Sequence, residues 1–356
     1  MRLLVIGGTR FLGRHLVAQA LAAGHEVTLL HRGRSGPGLF PQARHLIADR
    51  DDEAGLAVLE GGHWDTAIDT SAYVPRQVRT LAARLQGRIG QYQLISTISV
   101  YASMQGEATD EEAALAELAD PTVEQVTGET YGGLKVLCER AAAAAFAAHG
   151  TPCLVARPGL LVGPFDPTGR FTWWVQRLAR GGPTLAPGDP GQPVQVIDAR
   201  DAAAWLLKQA EARCSGTFNL TGPIAPLTLG ELLEAARVAL VGVATGGARV
   251  PPVTFEWVDE AFLLARDVAP WTGLPLWLPR EQAGLHRTDV RRAVATGLAC
   301  RPVAETVVDT AAWLEDAARA PVAASPASGP ATRPSVGLAP EREQEILRDW
   351  HATGSR

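Results

Sequence analysis

Tyr131-Gly-Gly-Leu-Lys135 sets a phenol and an ammonium four residues apart. On a helix that spacing puts both side chains on one face. An isolated tyrosine titrates near ~10, too high for a general base at neutral pH. A neighbouring ammonium, together with the positive ring of a bound redox cofactor, favours the phenolate, so Lys135 and that ring are expected to lower that value. Such a phenol can give a proton to an oxygen, or take one from it, while the attached carbon is reduced or oxidised. Of 33 basic residues only Lys135 and Lys208 are lysine, and tyrosines number 4. Where arginine serves nearly every other positive charge, a retained lysine points to work that arginine cannot do.

A third group should polarise the same oxygen. The segment Leu94-Ile95-Ser96-Thr97-Ile98-Ser99-Val100-Tyr101 places several hydroxyls at the end of an apolar run. Each can donate to a carbonyl and accept from an alcohol. At the N-terminus, Gly7-Gly8-Thr9-Arg10-Phe11-Leu12-Gly13 directly follows an apolar run and opens a helical pattern. Glycines there allow a tight turn and close approach of backbone N–H groups to a pyrophosphate, with the positive end of the helix behind them. Gly7, Thr9, Arg10, Phe11, Leu12 and Gly13 are therefore the candidate dinucleotide contacts. The next strand ends in His31-Arg32-Gly33-Arg34, with no acid. An acid at that point suits a free ribose 2′-hydroxyl, whereas guanidiniums suit a 2′-phosphate. Arg32 and Arg34 thus point to NADP, with NAD as the alternative.

These groups need a scaffold that brings strand ends together. Short apolar runs over 3–6, 26–30, 44–48, 66–69, 91–95 and 153–156 alternate with helical patterns over 11–23, 78–85 and 131–148. That alternation predicts an α/β fold, a Rossmann-type doubly wound parallel sheet with helices on both faces. Such sheets bind ligands at the carboxyl ends of their strands. Residues 1–157 read as the NAD(P)-binding domain, with segments near 194–222 returning to it. Residues 158–319 read as a smaller, mainly helical substrate lobe, with helices over 171–180, 201–212, 229–241, 287–297 and 303–318 and little strand signal beyond 228. Its aromatic residues Phe171, Trp173, Trp174, Trp257, Phe262, Trp271 and Trp277 either pack its core or form a stacking surface for a ring-bearing substrate. The Ala/Pro/Ser/Gly-rich stretch 320–340 reads as a disordered linker, and 341–356 as a short charged helix.

Composition narrows the class. The chain has 356 residues, 46% hydrophobic and 20% charged, with a net charge of −5. That charge gives no reason to expect nucleic-acid or acidic-lipid binding. No apolar run is long enough to span a bilayer, and no leader pattern is present. Cys138, Cys153, Cys214 and Cys300 are scattered without metal or disulfide spacing, which suits a reducing cytoplasm and no metal site.

Together these motifs resemble the extended short-chain dehydrogenase/reductases, the NAD-dependent epimerase/dehydratase family, over about residues 1–222. The family's glycine motif is matched at Gly7 and Gly13. Its Ser/Thr-x-x-Val-Tyr motif is matched at Thr97–Tyr101, which makes Thr97 the catalytic hydroxyl by resemblance. Its Tyr-x-x-x-Lys is matched at Tyr131 and Lys135. The resemblance further implies an adenine-contacting acid at Asp49, followed by Arg50, and a nicotinamide-side strand end at Arg157-Pro158. Three positions depart from the pattern. Arg10 replaces the middle glycine, as in an atypical subgroup that begins Gly-Gly-Thr-Arg-Phe. Leu160 stands where nucleotide-sugar enzymes carry asparagine, and Val194, after Gly188-Asp189-Pro190, where they carry an arginine. Both losses remove diphosphate contacts.

The leading expectation is an NAD(P)-dependent oxidoreductase on a carbonyl/alcohol substrate. Tyr131 is its acid/base, Thr97 orients the oxygen, and Lys135 binds the ribose and tunes Tyr131. One alternative is an epimerase or dehydratase that regenerates its cofactor each cycle. Another is a non-catalytic RNA-binding or nucleotide-sensing relative, as the atypical subgroup includes; the acidic charge and the retained Thr/Tyr/Lys set argue against it. A homodimer through the helices at 78 and 131 is compatible with the sequence.

Overall fold

Uninterrupted apolar runs become strands covered on both faces. The computed structural model describes every residue except 37, 104, 106–108, 224, 226, 242–251, 320–335 and 355–356. β1 (Arg2–Ile6) leads through the glycine turn into α1 (Phe11–Ala22), then β2 (Glu26–His31), β3 (Arg44–Ile47) and β4 (Thr66–Asp69). α2 (Pro75–Leu85), β5 (Tyr92–Ile95), α3 (Tyr131–Ala147) and β6 (Cys153–Pro158) complete the first half. Pro75 opens α2 where its missing N–H costs nothing.

Beyond β6 the chain builds β7 (Leu160–Val162), α4 (Arg170–Ala179), β8 (Gly182–Pro187), β9 (Pro193–Val194) and β10 (Val196–Asp198). α5 (Ala199–Glu211) and β11 (Gly216–Leu220) follow, then β12 (Leu227–Thr228), α6 (Leu229–Val241) and β13 (Val253–Val258). The last helices are α7 (Glu260–Leu264), α8 (Arg291–Ala295), α9 (Val303–Arg319) and α10 (Pro340–Gly354).

Seven strands form one sheet in the order β11-β6-β5-β4-β1-β2-β3. Every pairing in it is parallel. The order reverses between β1 and β4, so their carboxyl ends flank the crevice where such folds take ligands. α1 and α5 cover one face, and α2 and α3 the other. β11 returns to the sheet edge beside β6 after the chain has passed through the lobe.

The lobe holds more strand than its sequence predicts. β8 and β13 pair in parallel, as do β7 and β10, while β9 and β12 pair antiparallel. The helix expected over 287–297 is instead a 3₁₀ turn at Arg280–His286 followed by the short α8. Asp289 accepts from the backbone of Arg291 and ties its guanidinium, which interrupts a continuous helix there. Phe171, Trp174 and Trp277 are almost fully enclosed and belong to the lobe's core. Each such ring withdraws roughly 150–250 Å² from water, about 4–6 kcal/mol of transfer free energy before ordering costs. α10 docks on this core through Ile346 and Leu347, while its buried Glu343 pairs with Arg177 and accepts from the Leu185 amide. The linker expected over 320–340 lies mostly outside the described residues.

Candidate active site

The glycine turn is shaped by contacts that a side chain would destroy. Gly7 and Gly8 hold φ of +104° and +84°, a region that L side chains rarely adopt. A Cβ on Gly7 would lie 2.3 Å from Thr70 Oγ1, and one on Gly13 would lie 2.7 Å from the Gly8 nitrogen. α1 therefore seats directly on the turn. Arg10 is its N-cap in extended backbone, with no side-chain cap bond, and its first turn carries no acid. The N–H groups at this helix start thus face a glycine-lined crevice at the sheet's switch point, an arrangement that fits a pyrophosphate. Thr9 and Phe11 are half-buried and Arg10 is exposed. The Leu12 side chain is buried in the core, so only its backbone is available to a ligand.

At the ends of β2 and β3 the groups sort differently. Arg32 and Arg34 are both exposed, on the loop that carries Gly33 at φ +71°. Asp49 is half-buried and accepts from the Asp51 amide. Arg50 departs from the expected cofactor contact. Its guanidinium turns inward and grips Asp69 through two bonds of 2.7 and 2.8 Å, then reaches Ser71 Oγ and the Gln77 carbonyl. Asp69 is fully buried, and the Arg50 guanidinium together with bonds from Ser71 and Tyr92 holds its carboxyl below the usual range against burial. A charge that satisfies a buried carboxylate is committed to the fold.

The candidate proton-transfer groups meet at the carboxyl end of β5. Thr97 leaves β5 and caps the 3₁₀ turn Ile98–Val100, accepting from the Ser99 amide at 3.1 Å. Tyr131 opens α3 beside it. The two glycines that follow permit this approach: a Cβ on Gly132 would lie 2.2 Å from the Ser99 carbonyl oxygen, and one on Gly133 2.6 Å from Leu118 Cγ. Lys135, one turn on, is buried, and its Nζ donates to the carbonyls of Ala72 at 2.7 Å and Ile95 at 2.6 Å. Pro158 ends β6 on the same edge of the sheet, buried beside Leu220.

The expected lowering of the Tyr131 pKa does not hold in the chain by itself. Burial pushes it up to about 12, with the Tyr73 phenol adding to the rise; Thr97 and the Arg170 charge pull the other way. Lys135 does not counter it, because its ammonium is turned toward two carbonyls, and burial lowers its own pKa. Tyr131 is therefore a protonated phenol at neutral pH.

Several groups at the site escaped the sequence reading. The Tyr73 ring, half exposed, stands 6.5 Å from that of Tyr131. The Arg170 guanidinium at the start of α4 lies over the Trp271 ring at 4.8 Å. His31 and His45 form a bonded pair at the end of β2. Behind Thr97, Ser96 donates to Glu139, which binds Arg157 at 2.7 Å; Arg157 donates to the Tyr101 hydroxyl, which donates to Asn219. This buried chain ties β5, β6, β11 and α3 together. Tyr101 and Arg157 thus have their polar groups committed to this buried network. Among the described residues no cluster of His, Cys, Asp or Glu could hold a metal.

A parallel sheet in this order, with a glycine turn at its switch point, defines a dinucleotide-binding doubly wound fold. The same fold occurs in a UDP-glucose 4-epimerase, with a TM-score of 0.67, 14% identity, and coverage of 90% of this chain and 99% of that one. It occurs too in the UDP-glucuronic acid 4-epimerase from Bacillus cereus in complex with NAD (TM-score 0.61, 14% identity, 89% and 99% covered). The Bordetella bronchiseptica enzyme WbmH in complex with NAD⁺ is similar as well (TM-score 0.62, 15% identity, 88% and 98% covered). No curated protein matches the chain. The chain belongs to the NAD dependent epimerase/dehydratase family, whose model matches residues 3–220. It is an enzyme of the extended short-chain dehydrogenase/reductase type. No described helix is long and apolar enough to cross a membrane.

Proposed function

We propose that the protein is an NADP-preferring oxidoreductase acting on a carbonyl/alcohol substrate, with Tyr131 as general acid in the direction of reduction. The observation that carries this reading is the convergence of the Tyr131 phenol and the Thr97 hydroxyl at the carboxyl end of β5, with Lys135 one helical turn below. A bound nicotinamide would supply or accept the hydride. Gly7, Gly8, Gly13 and the α1 N-terminus would hold the dinucleotide, and Arg32 and Arg34 a 2′-phosphate. Thr97 would orient the substrate oxygen while Tyr131 donates its proton there. In the oxidising direction the phenol must first ionise, and a positive charge close by is what would lower its pKa.

The epimerase or dehydratase reading draws on the family and on the nucleotide-sugar enzymes among the similar structures. Against a diphosphate stand Leu160 and Val194, both enclosed in the lobe's apolar core. They offer no polar contact. Mass spectrometry of co-purifying nucleotide, with NADPH consumption over a carbonyl panel, separates the readings. Net NADPH oxidation is expected. Retained NAD with no net consumption would favour the epimerase reading.

A further inference from the structure

The end of β2 is the position at which this fold reads the adenosine ribose. Here it holds His31, whose ring is engaged at both nitrogens. His45 Nε2 lies 3.1 Å from the Phe40 carbonyl oxygen, which only accepts, so that nitrogen carries the proton. His45 Nδ1 is then a lone pair, facing His31 Nε2 at 2.8 Å, so His31 Nε2 donates. His31 Nδ1 in turn accepts the Gly33 amide at 3.1 Å. An acceptor at one end and a donor at the other allow one proton arrangement, with both rings neutral. An added proton would set two N–H groups face to face. The rings meet edge to face at 5.1 Å, and burial together with His45 holds the His31 pKa below its ordinary value.

We propose that His31 and His45 are positioning residues for cofactor choice: they fix the Gly33 amide, and so the loop bearing Arg32 and Arg34, and leave the His31 ring no free acceptor for a ribose 2′-hydroxyl. The proposal rests on the NADP reading above and adds a device to it. An acid at this strand end would accept from the ribose hydroxyls. His31 cannot, because its single lone pair is bound to Gly33. Discrimination then comes from both sides, with the diol left unread and the phosphate met by a loop held in place.

The test is calorimetric binding of 2′,5′-ADP and 5′-AMP to the full chain, which needs no substrate. The wild type should bind 2′,5′-ADP more tightly. His45→Leu removes the acceptor for His31 and should weaken 2′,5′-ADP about tenfold, the worth of one hydrogen bond, with 5′-AMP unchanged. His45→Gln keeps an acceptor and a donor on one side chain and should restore most of that loss. His31→Asp should raise 5′-AMP affinity while lowering that for 2′,5′-ADP, a gain that misfolding cannot produce. If His45→Leu leaves the ratio of the two probes unchanged, or His31→Asp gains nothing for 5′-AMP, the proposal is overturned and the NADP reading survives. Equal binding of both probes by the wild type overturns the NADP reading itself.

Discussion

Gly132→Ala is a sharp test of how the site is assembled. The added methyl would fall 2.2 Å from the Ser99 carbonyl oxygen, where at least 3.0 Å is needed, so the start of α3 must retreat by about 0.8 Å. Tyr131 is the adjoining residue and moves with it, away from Thr97. A misplacement of ~1 Å at a reacting group can cost about 10²-fold in rate. Stability should change far less, because alanine is favoured over glycine in a helix by ~1 kcal/mol, which offsets part of the clash. The assay is kcat/KM for a carbonyl that the wild type reduces, followed by nicotinamide absorbance, beside Tm and nucleotide affinity. A loss of 10- to 100-fold in kcat with nucleotide affinity unchanged is expected. Undiminished kcat would show that the approach of α3 to Ser99 does not set the chemistry.

Three further outcomes follow from the same contacts. Gly13→Ala would press a methyl onto the Gly8 backbone and should abolish nucleotide binding, read by calorimetry, while the circular dichroism stays native; full affinity would refute the turn's role. Asp69→Asn leaves the Arg50 guanidinium buried without its counter-charge and should cost about 3–5 kcal/mol in urea unfolding at pH 7; a cost under ~1 kcal/mol would mean the pair is not structural. His286 is buried, and burial lowers its pKa from the ordinary 6.5 to about 4, so between those values the unfolded chain binds the extra proton. Stability should therefore fall as pH drops through that window, by about 2 kcal/mol at pH 5 from this group; His286→Asn should flatten the slope, and an unchanged slope would contradict the assignment.

The readable part of this fold was local. The runs that became β1, β2, β4 and β5, and the spacing of Tyr131 and Lys135, depend on neighbours within one turn or one strand. The lobe's small sheets do not: β13 pairs with β8 some seventy residues away, and two- or three-residue strands leave no periodic trace. Arg50 was misplaced for a similar reason. Beside Asp49 it reads as part of a ligand site, but its partner Asp69 is nineteen residues on and buried. The Tyr131 acidity turned on burial, which a motif does not encode. The histidine pair needed the alignment of β2 with β3, although a histidine beside Arg32 and another within β3 were the available signal.

The central claim is that Tyr131 transfers the proton. Tyr131→Phe keeps the ring that opens α3 and removes only the hydroxyl, so nucleotide affinity should match the wild type. Turnover of a reducible carbonyl by the NADPH-loaded variant should fall by 10²–10⁴-fold, the usual range for a lost general acid. Turnover within a few-fold of the wild type, at equal nucleotide affinity, would contradict the account.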